Sequence, residues 1–228
     1  MNLTSRTQID RLGDRLRKGN PAEDDLHRLD EYRRSFAEAY EEVVSLVRRA
    51  TGLEPTGRPA KSTTSIIEKL QRETMRLSQM QDIAGCRLVV QDILAQDSVV
   101  AELKAVLPGA DVIDRRKYPS HGYRAVHIIA IAKGKPVEIQ VRTELQHLWA
   151  QLSEKASDVF DPAVKYGGGP AEVPKFMSMV SERIASLEAR EVRSSLDEES
   201  VRVRNKFRQD LEDAIAELED LSEEPTGG

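Results

Sequence analysis

Apolar positions recur at three- and four-residue steps through 20–52, at Leu26, Leu29, Phe36, Tyr40, Val43 and Val47. That spacing predicts one long helix with a single buried stripe. Asn20 is a candidate N-cap, Pro21 suits the first helical position, and Glu23, Asp24 and Asp25 complement the helix dipole. Gly52 is a plausible stop. A loop rich in Pro and Gly follows over 53–59, then a second helix over 62–77.

Beyond it the period shortens. The compact apolar run 83–90 reads as a strand, 94–107 as a helix ending near Pro108-Gly109, and 111–114 as a short strand. The β-branched runs 123–132 and 137–142, joined by Lys133-Gly134-Lys135-Pro136, predict a hairpin. Thr143, with Gln146 three residues on, is a capping-box pattern that starts another helix. Tyr166-Gly167-Gly168-Gly169-Pro170 breaks the chain. Two more helical stretches, 173–190 and 196–221, precede a tail over 222–228 expected to be disordered. The pattern gives an α+β core, roughly 62–158, flanked by helices.

Composition narrows the class. Of 228 residues, 39% are hydrophobic and 32% charged, which predicts a globular chain with a helical surface. No apolar run approaches the ~20 residues of a membrane span. The polar start, Met1 to Asp10, lacks the apolar core of a signal peptide, so the expected location is cytoplasmic with no membrane partner. Cys86 is the single cysteine, which rules out an internal disulfide and a cysteine-based zinc cluster. A net charge of -5 does not advertise a nucleic-acid binder, although a local basic patch can sit on an acidic protein.

Candidate chemistry lies around the predicted strands. Side chains alternate along a strand, so Val137, Ile139 and Val141 face a core while Glu138, Gln140 and Arg142 share the other face. That face is either solvated or functional. On the partner run, Tyr123, Ala125 and His127 share a face, where a flat base could stack above Ala125 or ordinary cross-strand packing could hold. Asp82, ahead of Ile83, either caps a helix or joins Glu138 in holding a hard cation. Gly85 lets a backbone or ligand approach closely. Lys61, Ser65 and Lys69 stand at i, i+4 and i+8, with Arg72 extending the stripe. Cations on one face without interleaved acids suit a polyphosphate. No Walker-type glycine loop is present. Arg115-Arg116-Lys117 precedes the hairpin as a basic loop.

Four motifs in this order resemble the synthetase domain of the RelA/SpoT family: Lys61-Ser62-Thr63-Thr64-Ser65-Ile66-Ile67-Glu68-Lys69-Leu70, Asp82-Ile83-Ala84-Gly85-Cys86-Arg87, Gly122-Tyr123-Arg124-Ala125-Val126-His127 and Glu138-Ile139-Gln140-Val141-Arg142-Thr143. The resemblance runs over about 58–166. It implies a helical extension over 1–57, a synthetase core over 58–166 and a helical extension with a tail over 167–228. The implied fold is a nucleotidyltransferase-like mixed β-sheet flanked by N- and C-terminal helices. The implied activity is transfer of pyrophosphate from ATP to the 3′-hydroxyl of an acceptor. Asp82 and Glu138 match the Mg2+-binding acids, with Glu138 also helping to deprotonate the attacking hydroxyl. Arg58, Lys61, Ser65, Lys69, Arg72 and Arg87 fall on the ATP side. Tyr123 matches the tyrosine that stacks on the acceptor base. His127, Gln140 and Arg142 line the acceptor side, and Arg115, Arg116 and Lys117 lie where acceptor phosphates reach.

The chain departs from the family pattern in three places. Arg58 stands three residues before Lys61, where the family often spaces it by two. Pro119 holds the place of a common lysine, and no histidine is followed by the aspartate of the family's hydrolase signature. The acceptor stays open between a guanine nucleotide, an adenine nucleotide and the 3′ end of tRNA. The last, a toxin reading, would bring a neutralising antitoxin as partner. The terminal helices are candidates for a homo-oligomer contact. The rivals from other classes are a non-catalytic nucleotide-binding module and a structural protein built on the terminal helices.

Overall fold

Helix signals in the N-terminal third are local, and the side chains that end each helix can be named. The computed structural model describes residues 5–193 and 198–223. α1 (Arg6–Arg17) opens on a capping box: the Ser5 hydroxyl accepts from the Gln8 amide while the Gln8 side chain accepts from the Ser5 amide. The helix predicted over 20–52 is instead two, α2 (Glu23–Arg34) and α3 (Ala37–Thr51). The break falls at Ser35, whose hydroxyl donates to the Tyr32 carbonyl at 2.6 Å and so competes with the helical ladder. Phe36 then turns fully into the core, edge-on to Tyr32 with ring centroids 5.2 Å apart. Asn20 is no cap. It lies at φ 49, and α2 starts three residues later behind Ala22, which gives no side-chain cap. Leu26 leaves the predicted stripe for the surface.

β1 (Thr56–Arg58) sits inside the predicted loop and pairs antiparallel with β2 (Ala84–Val90), Gly57 opposite Cys86 and Arg58 opposite Gly85. Three exposed residues, one of them glycine, carry no readable period. α4 (Thr63–Arg72), capped by Ser62, ends five residues before the predicted boundary, and a 3-10 turn over Leu77–Gln79 follows. The end of α4 and the segment after it have a partner from another helix: Arg17 donates to the carbonyls of Leu70 (2.7 Å), Glu73 and Met75. α5 (Ile93–Val106), β3 (Asp111–Asp114), β4 (Val126–Ala132) and β5 (Lys135–Thr143) then lead to α6 (Glu144–Val159), α7 (Glu172–Arg193) and α8 (Glu198–Glu223).

The five strands form one mixed sheet in the order β1-β2-β5-β4-β3, flanked by helices, as expected of the α+β class. The hairpin β4–β5 closes on Lys133 and Gly134 alone, at φ 49 and 70, the backbone of a tight hairpin turn. Lys135 and Pro136 already belong to β5. Strand β4 starts at Val126, three residues later than predicted, so Tyr123 lies in the preceding loop.

The chain divides into two compact units. One comprises Met1–Leu88, Glu102–Val112 and His127–Gln140; the other comprises Val89–Ala101, Ile113–Val126 and Val141–Gly228. The second has its own core of Leu145, Trp149, Leu152, Met177, Ile184, Leu187, Leu211 and Ile215, from α6, α7 and α8. Thr143 and Gln146 form the predicted capping box of α6. The predicted start of the last helix, at 196, lies outside the described residues. Of the predicted tail, Ser222 and Glu223 complete α8 and 224–228 lie outside the described residues.

Candidate active site

In the first unit, Asp82 is the centre of a charge cluster. Its two carboxylate oxygens accept from the ammonium groups of Lys61 and Lys69, each at 3.0 Å. Burial would raise its pKa, yet the two cations hold it down at about 2. Lys61 shifts less simply. Burial foremost, with Arg58 and Lys69 adding like charge, lowers its ammonium despite Asp82. The asymmetry is physical: Asp82 faces two cations, whereas Lys61 shares one acid with other cations. Lys61 is also fixed through its backbone, its amide donating to Ile83 O and its carbonyl accepting from Arg33 of α2, both at 2.6 Å.

The stripe of lysines on one helix is therefore redrawn. Lys61 lies in the segment before α4, while Ser65, Lys69 and Arg72 lie on it. The cations are not without acids, since Asp82 takes Lys61 and Lys69, and Arg72 pairs with Glu73 at 3.0 Å. Arg58 reaches the Asp82 carbonyl at 3.3 Å, and the Ser65 hydroxyl accepts from Ser62 at 2.8 Å. Arg87, half-buried on β2, stands opposite Thr56.

Glu138 on β5 is buried, so its face of the strand is not a solvated one. His127 Nδ1 lies 2.7 Å from one carboxylate oxygen, and Gln140 donates to the other at 2.7 Å. Burial and the nearby charge of Asp82 push its pKa up; His127 and Gln140 outweigh them and bring it below the usual value. His127 and Gln140, expected beside the acceptor, thus each bond Glu138. Gly85 explains how β2 and β5 come so near: a Cβ there would stand 2.8 Å from the Glu138 carbonyl oxygen.

In the second unit, Tyr123 follows a tight turn closed by two backbone bonds between Ser120 and Tyr123. Arg142 donates to its hydroxyl at 3.1 Å, with the guanidinium 5.0 Å from the ring centroid, and the Trp149 ring lies 6.4 Å away, tilted. The platform predicted from Tyr123, Ala125 and His127 does not form, because Ala125 is fully buried and Tyr123 is off the strand. Arg116 is committed inside the fold, donating to Asp114, Asp97 and Gln96. Arg115 is half-buried and Lys117 exposed.

Arg33, which donates to the Lys61 carbonyl, and Trp149, beside the Tyr123 ring, were not among the expected site residues. Their partners are backbone carbonyls or distant loops, and such contacts leave no spacing signal.

Asp82, half-buried, and Glu138, buried, are acids of the kind that hold a hard dication. Among the described residues no group of three or more His, Cys, Asp or Glu is placed to hold a metal, so such an ion would need ligands from a bound phosphate.

Residues 57–158 match a family profile described as "Region found in RelA / SpoT proteins", and over this segment the chain is similar to that family. An uncharacterized protein of Mycobacterium tuberculosis is 36% identical over 118 residues, 50% of this chain and 43% of that protein. A probable chloroplastic GTP diphosphokinase of Oryza sativa is 35% identical over 97 residues, 40% of this chain and 13% of that protein. The chain thus spans less than half the length of these curated relatives. Among solved structures, small alarmone synthetase 1 of Bacillus subtilis bound to its product pppGpp is 26% identical with a TM-score of 0.55, over 72% of this chain and 95% of that one. Another structure of small alarmone synthetase 1 of Bacillus subtilis shares the fold, with a TM-score of 0.56 at 22% identity over 80% of this chain and 98% of that one. Among the described residues no helix is long and apolar enough to cross a membrane.

Proposed function

We propose that this chain is an ATP-dependent pyrophosphokinase that moves the β,γ-pyrophosphate of ATP to the 3′-hydroxyl of GTP or GDP, making a (p)ppGpp-type alarmone. The observation that carries the reading is Asp82 held between Lys61 and Lys69, at 3.0 Å from each. Two ammonium groups parked on one carboxylate are ready to transfer to a polyphosphate, a stronger multivalent anion. Asp82 and Glu138 are the residues that would hold Mg2+, which when bound neutralises phosphate charge. The 3′-oxygen attacks the β-phosphorus, the bond from that phosphorus to the bridging oxygen breaks, AMP leaves, and the hydroxyl proton passes to Glu138. Little covalent work is asked of the protein in such a transfer; positioning and charge do most of it. Tyr123 supplies an aromatic face for the guanine base.

Similarity to a synthetase solved with pppGpp and to a probable GTP diphosphokinase supports the guanine acceptor. A tRNA acceptor would need cations for its backbone phosphates, and in the basic loop Arg115-Arg116-Lys117 the middle one, Arg116, is spent on internal bonds. Purified protein with ATP, magnesium and GTP should release AMP and pyrophosphorylated guanine nucleotide in equal amounts. AMP formed only when tRNA is added would replace this acceptor, and no AMP with any acceptor would end the enzymatic reading.

A further inference from the structure

The loop that carries Tyr123 is braced by α7, and a single buried hydroxyl makes the brace. Ser181 Oγ donates to the Gly122 carbonyl at 2.7 Å and accepts from Arg124 Nε at 2.9 Å, so both sides of the hydroxyl are used. Ser181 is 2% exposed. Arg124 then donates through Nη1 to the Arg116 carbonyl at 2.6 Å, tying the start of the loop to its end. The Arg115 amide bonds the Ala125 carbonyl at 2.9 Å, closing the loop at its base. Gly122, at φ +91, packs so tightly that a Cβ there would lie 2.7 Å from the Trp149 ring and 3.3 Å from Ser181 Cβ. The residues on either side of Tyr123 are therefore both fixed to Ser181. The ring itself touches Arg142 and Trp149.

We propose that Ser181 is a positioning residue for the acceptor: through Gly122 and Arg124 it fixes the backbone on both sides of Tyr123 and presents the ring to a purine nucleotide. This rests on the reading of Tyr123 as the acceptor's platform. Removing the hydroxyl leaves a half-buried carbonyl and one arginine donor without their partner, so the loop loosens while the ATP-side cluster keeps all its bonds. The effect on affinity is on the order of tenfold, the scale of one or two buried hydrogen bonds.

The test compares wild type with Ser181→Ala and Arg124→Ala, and with the double variant. Ser181→Ala is close to isosteric and preserves the helix. Two quantities are read: hydrogen exchange at the amides of 116–124, and KM for GTP and for ATP separately. The expected result is faster exchange confined to that loop and a GTP KM raised about tenfold. The ATP KM and kcat at saturating GTP should stay near wild type, and the double variant should be little worse than the worse single. Unchanged exchange would overturn the brace. Faster exchange with an unchanged GTP KM, or GTP and ATP KM rising together, would overturn the positioning role. Wild type that makes no product from GTP and ATP overturns the acceptor reading instead, and exchange at 116–124 still decides the brace.

Discussion

At the scale of single residues, the site is a competition among charges. Asp82 keeps its carboxylate ionised to about pH 2 because Lys61 and Lys69 outweigh the cost of burying it. A depressed carboxylate pKa stabilises the fold above its unfolded value near 3.8 and ceases to do so as pH falls through about 2. Asp82→Asn should therefore lower stability at neutral pH, by leaving two half-buried ammonium groups unpaired, and should flatten the loss between about pH 4 and 2. Urea unfolding at several acid pH values reads both effects, and an unchanged slope would mean that another acid sets the limb. Asp82→Asn and Glu138→Gln should each abolish AMP release, and near-normal turnover in either would remove the paired-acid site. Lys61→Ala and Lys69→Ala should each weaken a non-hydrolysable ATP analogue in titration calorimetry, and unchanged binding in both would leave the cluster purely structural. Both acids stood out in the sequence, because Asp82 precedes the strand run 83–90 and Glu138 sits on the polar face of another, 137–142. The hydrogen bonds that set them were not. Counting back from a two-residue turn places His127 opposite Gln140 on the face of Glu138, but four linking residues were assigned and the register was lost with them.

At the scale of elements, the structure departs from the sequence pattern where an end is decided by a distant side chain. The capping box at Thr143 was readable because both partners lie within one turn. The early end of α4 was not, because the carbonyl of Leu70 is taken by Arg17, 53 positions before it. The break at Ser35 was also hidden, since Phe36 keeps the apolar spacing while leaving the helix. Thr143 does more than cap. Its hydroxyl donates to Glu188 of α7 at 2.6 Å, and Gln146 donates to the same carboxylate at 3.0 and 3.1 Å. Burial raises the Glu188 pKa despite those donors. Thr143→Ala should thus cost more than an ordinary cap, about 2 kcal/mol or above, because a buried carboxyl group loses a donor as well. Chemical denaturation measures it; a loss near half that value would show that Gln146 alone satisfies Glu188.

At the scale of the whole molecule, charge separates the acceptor classes. The net charge of -5 repels a long polyanion unless a local patch overcomes it. The one basic run near the Tyr123 loop is weaker than its composition suggests, since Arg116 is bound to Asp114 and Asp97 and only Arg115 and Lys117 remain as outward candidates. A tRNA acceptor held through several backbone phosphates loses affinity steeply with salt, by roughly 10³ or more between 50 and 200 mM for six or more contacts. A mononucleotide makes few contacts and responds far less. Product formation from GTP is therefore expected to change modestly over that salt range. Replacing Arg115 and Lys117 with alanine, Arg116 being kept because its loss would loosen the loop, should leave that dependence almost unaltered. Tyr123→Ala should raise the KM for GTP by the equivalent of about 1–3 kcal/mol, the worth of one stacked base, without moving that for ATP. In cell-free translation the same protein should generate pyrophosphorylated guanine nucleotide and leave the 3′ ends of tRNA intact. Modified tRNA with a steep salt response, flattened by the Arg115 and Lys117 replacements, would instead assign this chain to the toxin class, while the donor chemistry of Asp82, Glu138, Lys61 and Lys69 would stay as proposed.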